Sequence, residues 1–221
     1  GIGTELLIDR NAEKAALETA AKLGLDDTFV FENPRRGWKI SKFIVNCKNL
    51  DAHNSEQLDQ AMRMARKLHE SNAKVERSFS FYDEGRNYEH SLLARGPISV
   101  NDWQEMSDQA AKLNEYLVAD GGEPVLCHND FFGLKFLIDV DGNTSLIDWE
   151  YAGMGDYAND FGTFCVCEQL SEDEMLRALT SYFDRTPTDV EWRHNLGQVG
   201  MAGWCWYAWS LLKESEGDNV G

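Results

Sequence analysis

Basic side chains, prolines and paired cysteines are all scarce in this chain, and each scarcity excludes a class of function. Against 38 aspartates and glutamates stand only 21 lysines and arginines, a formal charge of −17 over 221 residues. Contact with nucleic acid or an anionic membrane wants a basic patch, so neither partner is expected; an acidic surface is simply solvated, or suits a cationic ligand. With only four prolines and 43% hydrophobic residues, the composition is that of a folded globular protein, one large domain or two small ones, and not of a disordered linker. No apolar run approaches the ~18 residues of a membrane span and no charged-then-apolar leader opens the chain, so a soluble, cytoplasmic protein is expected. The five cysteines, Cys47, Cys127, Cys165, Cys167 and Cys205, include no CxxC pair and no histidine at zinc spacing. They read as reduced, mostly buried small apolar residues, with neither a disulfide framework nor a zinc site.

What is present is a series of periodic segments. Residues 11–25 are rich in Ala, Leu, Glu and Lys, open on a capping-competent Asn11 and stop at Gly24, which predicts a helix. Two β-rich runs flank NPRRG, so 28–45 reads as a hairpin. Leu58, Met62, Ala65 and Leu68 recur at helical spacing in 55–71, and Trp103, Met106, Ala110, Leu113 and Leu117 do the same in 102–118. PVLCHND reads as a short strand, and FLIDV-DGN-TSLIDWE as two strands about a DGN turn. Helices follow from Tyr157, behind a Ser171/Glu174 capping box, and over 189–213. Strands grouped in antiparallel pairs favour an α+β fold over α/β.

Chemistry concentrates in His128-Asn129-Asp130 and Ile147-Asp148-Trp149-Glu150. Both aspartates are expected at the ends of strands, near one another at one sheet edge. One carboxylate of such a pair can take the proton of an attacking hydroxyl while the other holds Mg²⁺ against nucleotide phosphates. Taken alone, a turn aspartate plus a hairpin aspartate is the better reading. A second constellation is AGWCWYAWSLLKE, where Trp206 and Trp209 share a helix face and Trp204 and Tyr207 form a pair about 100° round from it. Taken alone it is a bulky core stripe.

LCHNDFFGLKFLI and SLIDWEYAGMGDYANDFG, with LIDRNAE, GWKISKFI, RKLHES and AGWCWYAWSLLKE, together resemble the choline/ethanolamine kinase family. Bacterial choline kinase-like members are the nearest in pattern, and aminoglycoside phosphotransferases of the protein-kinase-like superfamily are more distant. The resemblance implies a protein-kinase-like fold, with 1–48 as the remnant of an N-lobe with its hinge and 49–221 as a mostly helical C-lobe. It implies an ATP- and Mg²⁺-dependent phosphotransferase acting on the hydroxyl of choline, a small cationic amino alcohol. Asp130 matches the catalytic aspartate and Asp148 the metal ligand, while His128 braces the loop and Asp160 supports the scaffold. Glu13 matches the helix glutamate that pairs with a nucleotide-binding basic residue, and Phe43, Ile44 and Val45, ending the second strand, fall near the hinge that meets the adenine. Trp206 and Trp209 match the pair that lines a choline pocket, where a quaternary ammonium is recognised by aromatic faces; Glu150 either adds long-range attraction for the cation or anchors a helix or loop.

Two departures stand out. The family pattern HNDxxxxN ends in a metal-ligating asparagine, and here that position is Lys135, whose ammonium has only donors. Its charge partly replaces one metal ion but weakens the remaining site, so impaired metal-dependent turnover is implied. The strands expected before Glu13, including the one bearing its basic partner, lie upstream of Gly1; GIGT does not read as a phosphate loop. Beyond Gly221, further pocket aromatics are expected, so the chain reads as cut at both ends. Alternatives are a pseudokinase-like protein that binds a quaternary ammonium or nucleotide, and a kinase for ethanolamine or an aminoglycoside.

Overall fold

A computed structural model describes residues 8–220, so GIGT lies outside the described residues. Helix α1, Arg10–Leu23, is capped by Asp9, whose carboxylate accepts from the N–H groups of Asn11 and Ala12, and it ends on Gly24 in a left-handed conformation at φ 64°. The cap is therefore Asp9 and not the expected Asn11. Strands β1, Phe29–Asn33, and β2, Trp38–Ser41, form an antiparallel hairpin with Asn33 opposite Trp38. The second strand stops at Ser41, so Phe43, Ile44 and Val45 do not end it; they belong to the connection that follows, with Phe43 90% exposed.

A two-residue strand β3, Lys48–Asn49, leads to α2, Ser55–His69, capped by Asn54. Helix α3, Phe81–Leu93, is not anticipated in the sequence; α4, Trp103–Asp120, is. Then come β4, Val125–Cys127, a 3-10 turn at Gly133–Lys135, β5, Phe136–Ile138, β6, Thr144–Leu146, and β7, Gly153–Gly155. The chain closes with α5, Ala158–Glu168, α6, Glu172–Phe183, and α7, Asp189–Ser215. Both α6 and α7 open on reciprocal capping boxes, Ser171 with Glu174 and Thr188 with Glu191.

Strand order is β3-β5-β6 in one small antiparallel sheet and β4-β7 in another. Asp130 follows β4 and Asp148 follows β6, so the two carboxylates leave different sheets and not one sheet edge. Two apolar clusters carry the fold. One joins α1 and α2 to Phe131, Phe136, Trp149 and Phe164, and the other joins α3 and α4 to Met201, Trp204 and Cys205 of α7. The two loops that follow β4 and β6 are rooted in the first cluster through Phe131 and Trp149, both fully buried. Among the described residues no helix is long and apolar enough to cross a membrane.

Candidate active site

The loop after β4 is fixed by one buried carboxylate. Asp160, in the first turn of α5, accepts the backbone N–H of His128 at 3.0 Å and of Asn129 at 2.6 Å, and the ring of His69 sits 3.0 Å from its Oδ2. Burial would raise its pKa, but these donors more than offset that and hold it below the ordinary carboxylate range. Burial also pushes the His128 imidazole down, so the ring is neutral. Its Nε2 donates to the Ile147 carbonyl at 2.9 Å and its Nδ1 accepts from the Asp130 N–H at 3.3 Å. One side chain thereby ties the Asp130 loop to the Asp148 loop. Asn129 adds a second tie, donating to the Tyr151 carbonyl at 3.0 Å. The two loops share a backbone peculiarity: Asn129 and Asp148 are left-handed, at φ 65° and 71°. Asn and Asp bear that conformation at lower cost than other L residues, and such outliers cluster at functional sites.

Held this way, Asp130 and Asp148 converge on one ammonium. Lys135 Nζ lies 2.8 Å from Asp130 Oδ2 and 2.5 Å from Asp148 Oδ2. The lysine is set in place by its own backbone, since its carbonyl accepts from Ile147 N–H at 2.8 Å and its N–H donates to the Phe132 carbonyl at 2.9 Å. Burial would lower its pKa, but Asp130 and Asp148 outweigh burial and keep it protonated. Asp148 in turn falls below its ordinary value because Lys135 and Lys39 more than offset its burial.

Glu13 is fully buried on α1 and bonds Lys39 Nζ at 2.9 Å and Arg10 at 2.5 Å. Lys39, on β2, stands 3.8 Å from Asp148 Oδ1. Lys39 is thus a basic partner of Glu13 that the sequence reading did not single out. Nothing in the local pattern of WKIS marks it, because the pairing spans 26 positions. Burial and the adjacent Glu13 carboxylate raise Glu32 to about 7. Glu150 is raised by burial and then by Asp148 and Glu13. Its carboxylate is thus coupled to the charged part of the cleft, while its backbone carbonyl accepts from Arg77 at 2.7 Å.

An aromatic cluster begins at Tyr151, which Asn129 ties to the Asp130 loop. Trp206 and Trp209 meet edge-on with ring centroids 6.0 Å apart, and Trp206 also meets Tyr151 at 6.2 Å and Phe81 at 5.9 Å. Tyr151 is pushed up to about 12 by burial and by the charges of Glu150 and Asp130, which connects this wall electrostatically to the carboxylates. Phe81 and Tyr151 are not singled out by the sequence reading, although Tyr151 directly follows the IDWE run. Trp204 faces elsewhere: it stacks on Tyr82 at 5.9 Å and Trp103 at 6.3 Å in the core. Glycine is needed at 85 for that packing, since a Cβ there would stand 2.3 Å from the Trp204 ring.

His69, Cys127 and Asp160 lie close enough together to suggest a metal centre. Their bonds are already committed: Asp160 to three donors, His69 Nδ1 to Tyr182 at 2.8 Å, and the Cys127 thiol to the Asp156 carbonyl at 3.2 Å. Burial raises the thiol well above its ordinary range, so no thiolate is on offer. The cluster is a scaffold joint.

The phosphotransferase enzyme family model matches residues 39–193. No curated protein matches the chain in sequence. Among solved structures, the choline kinase LicA from Streptococcus pneumoniae has a TM-score of 0.86 at 24% identity, covering 100% of this chain and 78% of that one. That kinase is also known in complex with AMP. A choline/ethanolamine kinase family protein from Mesorhizobium loti gives 0.84 at 22% identity over 96% and 74% of the two chains. A Plasmodium vivax ethanolamine kinase gives 0.74 at 17% over 100% and 70%. At these identities the likeness speaks to the fold, which is the helix-rich α+β, protein-kinase-like fold.

Proposed function

Because the chain belongs to the phosphotransferase enzyme family, we propose that it transfers the γ-phosphoryl group of ATP to the hydroxyl of choline. The observation that carries this reading is the convergence of Asp130 and Asp148, from loops that follow two different sheets, on the single ammonium of Lys135. In the transfer, a bond forms between the choline hydroxyl oxygen and the γ-phosphorus. The bond from that phosphorus to the β–γ bridging oxygen breaks, ADP leaves, and the hydroxyl proton passes to Asp130. Asp130 also orients the hydroxyl, which is why its loop must be rigid.

The nucleotide would lie between 1–48 and 49–221, with the connection at Phe43, Ile44 and Val45 beside the adenine. Glu13 holds Lys39 toward the phosphates. The donor set suits one divalent ion: Asp148 Oδ1 faces Lys39 only at 3.8 Å, beyond hydrogen-bond range, while Oδ2 is taken by Lys135. Asp148 would therefore hold one Mg²⁺, whose contribution is to neutralise charge on the transferred phosphoryl group.

Choline is favoured over a primary amine by the ring wall. A quaternary ammonium has no N–H to donate, and aromatic faces attract it by about 0.5–2 kcal/mol each. Trp206, Trp209 and Tyr151 supply such faces, with Phe81 buried behind Trp206, and Glu150 adds negative potential. Ethanolamine or an aminoglycoside would need acceptors in that wall. The need for ATP places the reaction in the cytoplasm.

The full-length protein with ATP, Mg²⁺ and choline should form phosphocholine, and Asp130→Ala should lower its rate of formation about 10²- to 10⁴-fold. No product above the Asp130→Ala background overturns the reading; faster turnover of ethanolamine than choline overturns the choice of substrate. The ion pairs of Lys135 favour a second reading, a pseudokinase-like protein that binds nucleotide and quaternary ammonium without turnover. Calorimetric choline binding with no phosphocholine would select it.

A further inference from the structure

The ammonium of Lys135 sits where a cation shared by Asp130 and Asp148 would sit. We infer that Lys135 is a built-in substitute for one divalent ion, so that this protein binds its nucleoside triphosphate with a single divalent ion and not two. This inference rests on the proposed reading only in assuming that the cleft holds such a nucleotide.

The geometry has three parts. First, Nζ bridges Oδ2 of both carboxylates at 2.8 and 2.5 Å, so an ion bound by the same two oxygens would be displaced or strongly repelled. Second, an ammonium has three donors and no acceptor. Two are used on Asp130 and Asp148, and the third is left for an anionic oxygen such as one on a nucleotide phosphate. Third, the lysine is anchored: its backbone is bonded on both sides, its side chain is 17% exposed, and Nζ lies 5.3 Å from the centroid of the Phe132 ring. With Oδ2 of both carboxylates on Nζ, Asp148 Oδ1, which has only Lys39 at 3.8 Å, is left to hold one divalent ion. Magnesium needs oxygen ligands at near-octahedral geometry, and position 135 offers none.

The test counts ions. Mn²⁺ is titrated into full-length protein with a non-hydrolysable ATP analogue, and bound Mn²⁺ is read by electron paramagnetic resonance. One ion per chain is expected for the wild type and two for Lys135→Asn, whose amide oxygen can ligate. In excess chelator, analogue affinity should fall about tenfold or more in Lys135→Met, because a charge-assisted hydrogen bond to phosphate is lost. Two ions on the wild type overturn the inference while leaving phosphotransfer intact. So does one ion on a folded Lys135→Asn, or an unchanged chelator-condition affinity in Lys135→Met. No analogue binding by the wild type at any Mn²⁺ level overturns this inference and the nucleotide reading together.

Discussion

Asp160 and Asp148 make a useful pair because both are carboxylates facing nitrogen donors, and both are held below their ordinary pKa. Asp160 is wholly buried and accepts from two backbone N–H groups and faces an imidazole. Asp148 is about one-third exposed, and one of its oxygens has only Lys39 at 3.8 Å. Asp130 is itself buried, with its side chain 12% exposed, but among the described residues only its Oδ2 is paired, to Lys135. A closed cluster fixes a loop and has nothing to offer a ligand. An open one keeps capacity for a proton, an ion or a phosphate. Burial and a shifted pKa thus do not separate a structural carboxylate from a reacting one; spare bonding capacity does.

The sharpest way to break this contrast is to remove each carboxylate in turn. Asp160→Ala should cost about 3–5 kcal/mol of stability in urea unfolding, as two buried backbone N–H groups and the His69 ring lose their hydrogen-bond partner. Asp130→Ala should lower kcat about 10²- to 10⁴-fold with a smaller stability loss than Asp160→Ala, because Lys135 keeps Asp148 as its partner. If the effects were exchanged, the assignment of scaffold and reactive carboxylates would be reversed. A smaller effect is expected at the aromatic wall. Trp206→Leu should raise the KM for choline about 2- to 30-fold, the equivalent of about 0.5–2 kcal/mol of cation–π attraction, with kcat little changed. A kcat loss without a KM change would instead place Trp206 in support of the Asp130 loop.

The smallest effect concerns Glu32 beside Glu13. Its pKa is raised to about 7 in the folded state from an ordinary 4.5, so the folded form binds the proton more tightly. Its stabilising contribution is complete below the unfolded value and is lost as pH rises toward 7. Glu32→Gln should therefore flatten the fall in Tm over that interval in a pH series. An unchanged slope would show that Glu32 and Glu13 do not share their charge as described.

Much of the helical frame was legible from local pattern. The periodic apolar positions of α2 and α4 and the Ser171/Glu174 box mark their elements because helix formation and capping are settled within a few residues. Helix α3 was missed: its first turn is aromatic and acidic, and Gly85 weakens its propensity, so its packing on Trp204 is what holds it. Strands β3 and β7 are two and three residues long and exist only through partners distant in sequence. At the site, the strand-ending runs drew attention to Asp130 and Asp148, and the family resemblance marked Lys135 as a departure. That the lysine bridges both aspartates, and that Lys39 meets Glu13, are tertiary facts with no local signature.

The left-handed backbone at 129 and 148 reaches beyond chemistry, into how divergent copies of this chain should be judged. At positive φ, glycine, asparagine and aspartate are the inexpensive residues, so the backbone alone limits what can be substituted there. A copy that had lost all activity would still be under pressure from folding to keep one of those three. An aspartate at 148 or an asparagine at 129 is then weak testimony to function. Asp130 has no positive φ to explain it, so among the residues of these two loops it is the one whose loss or retention speaks most directly to catalysis.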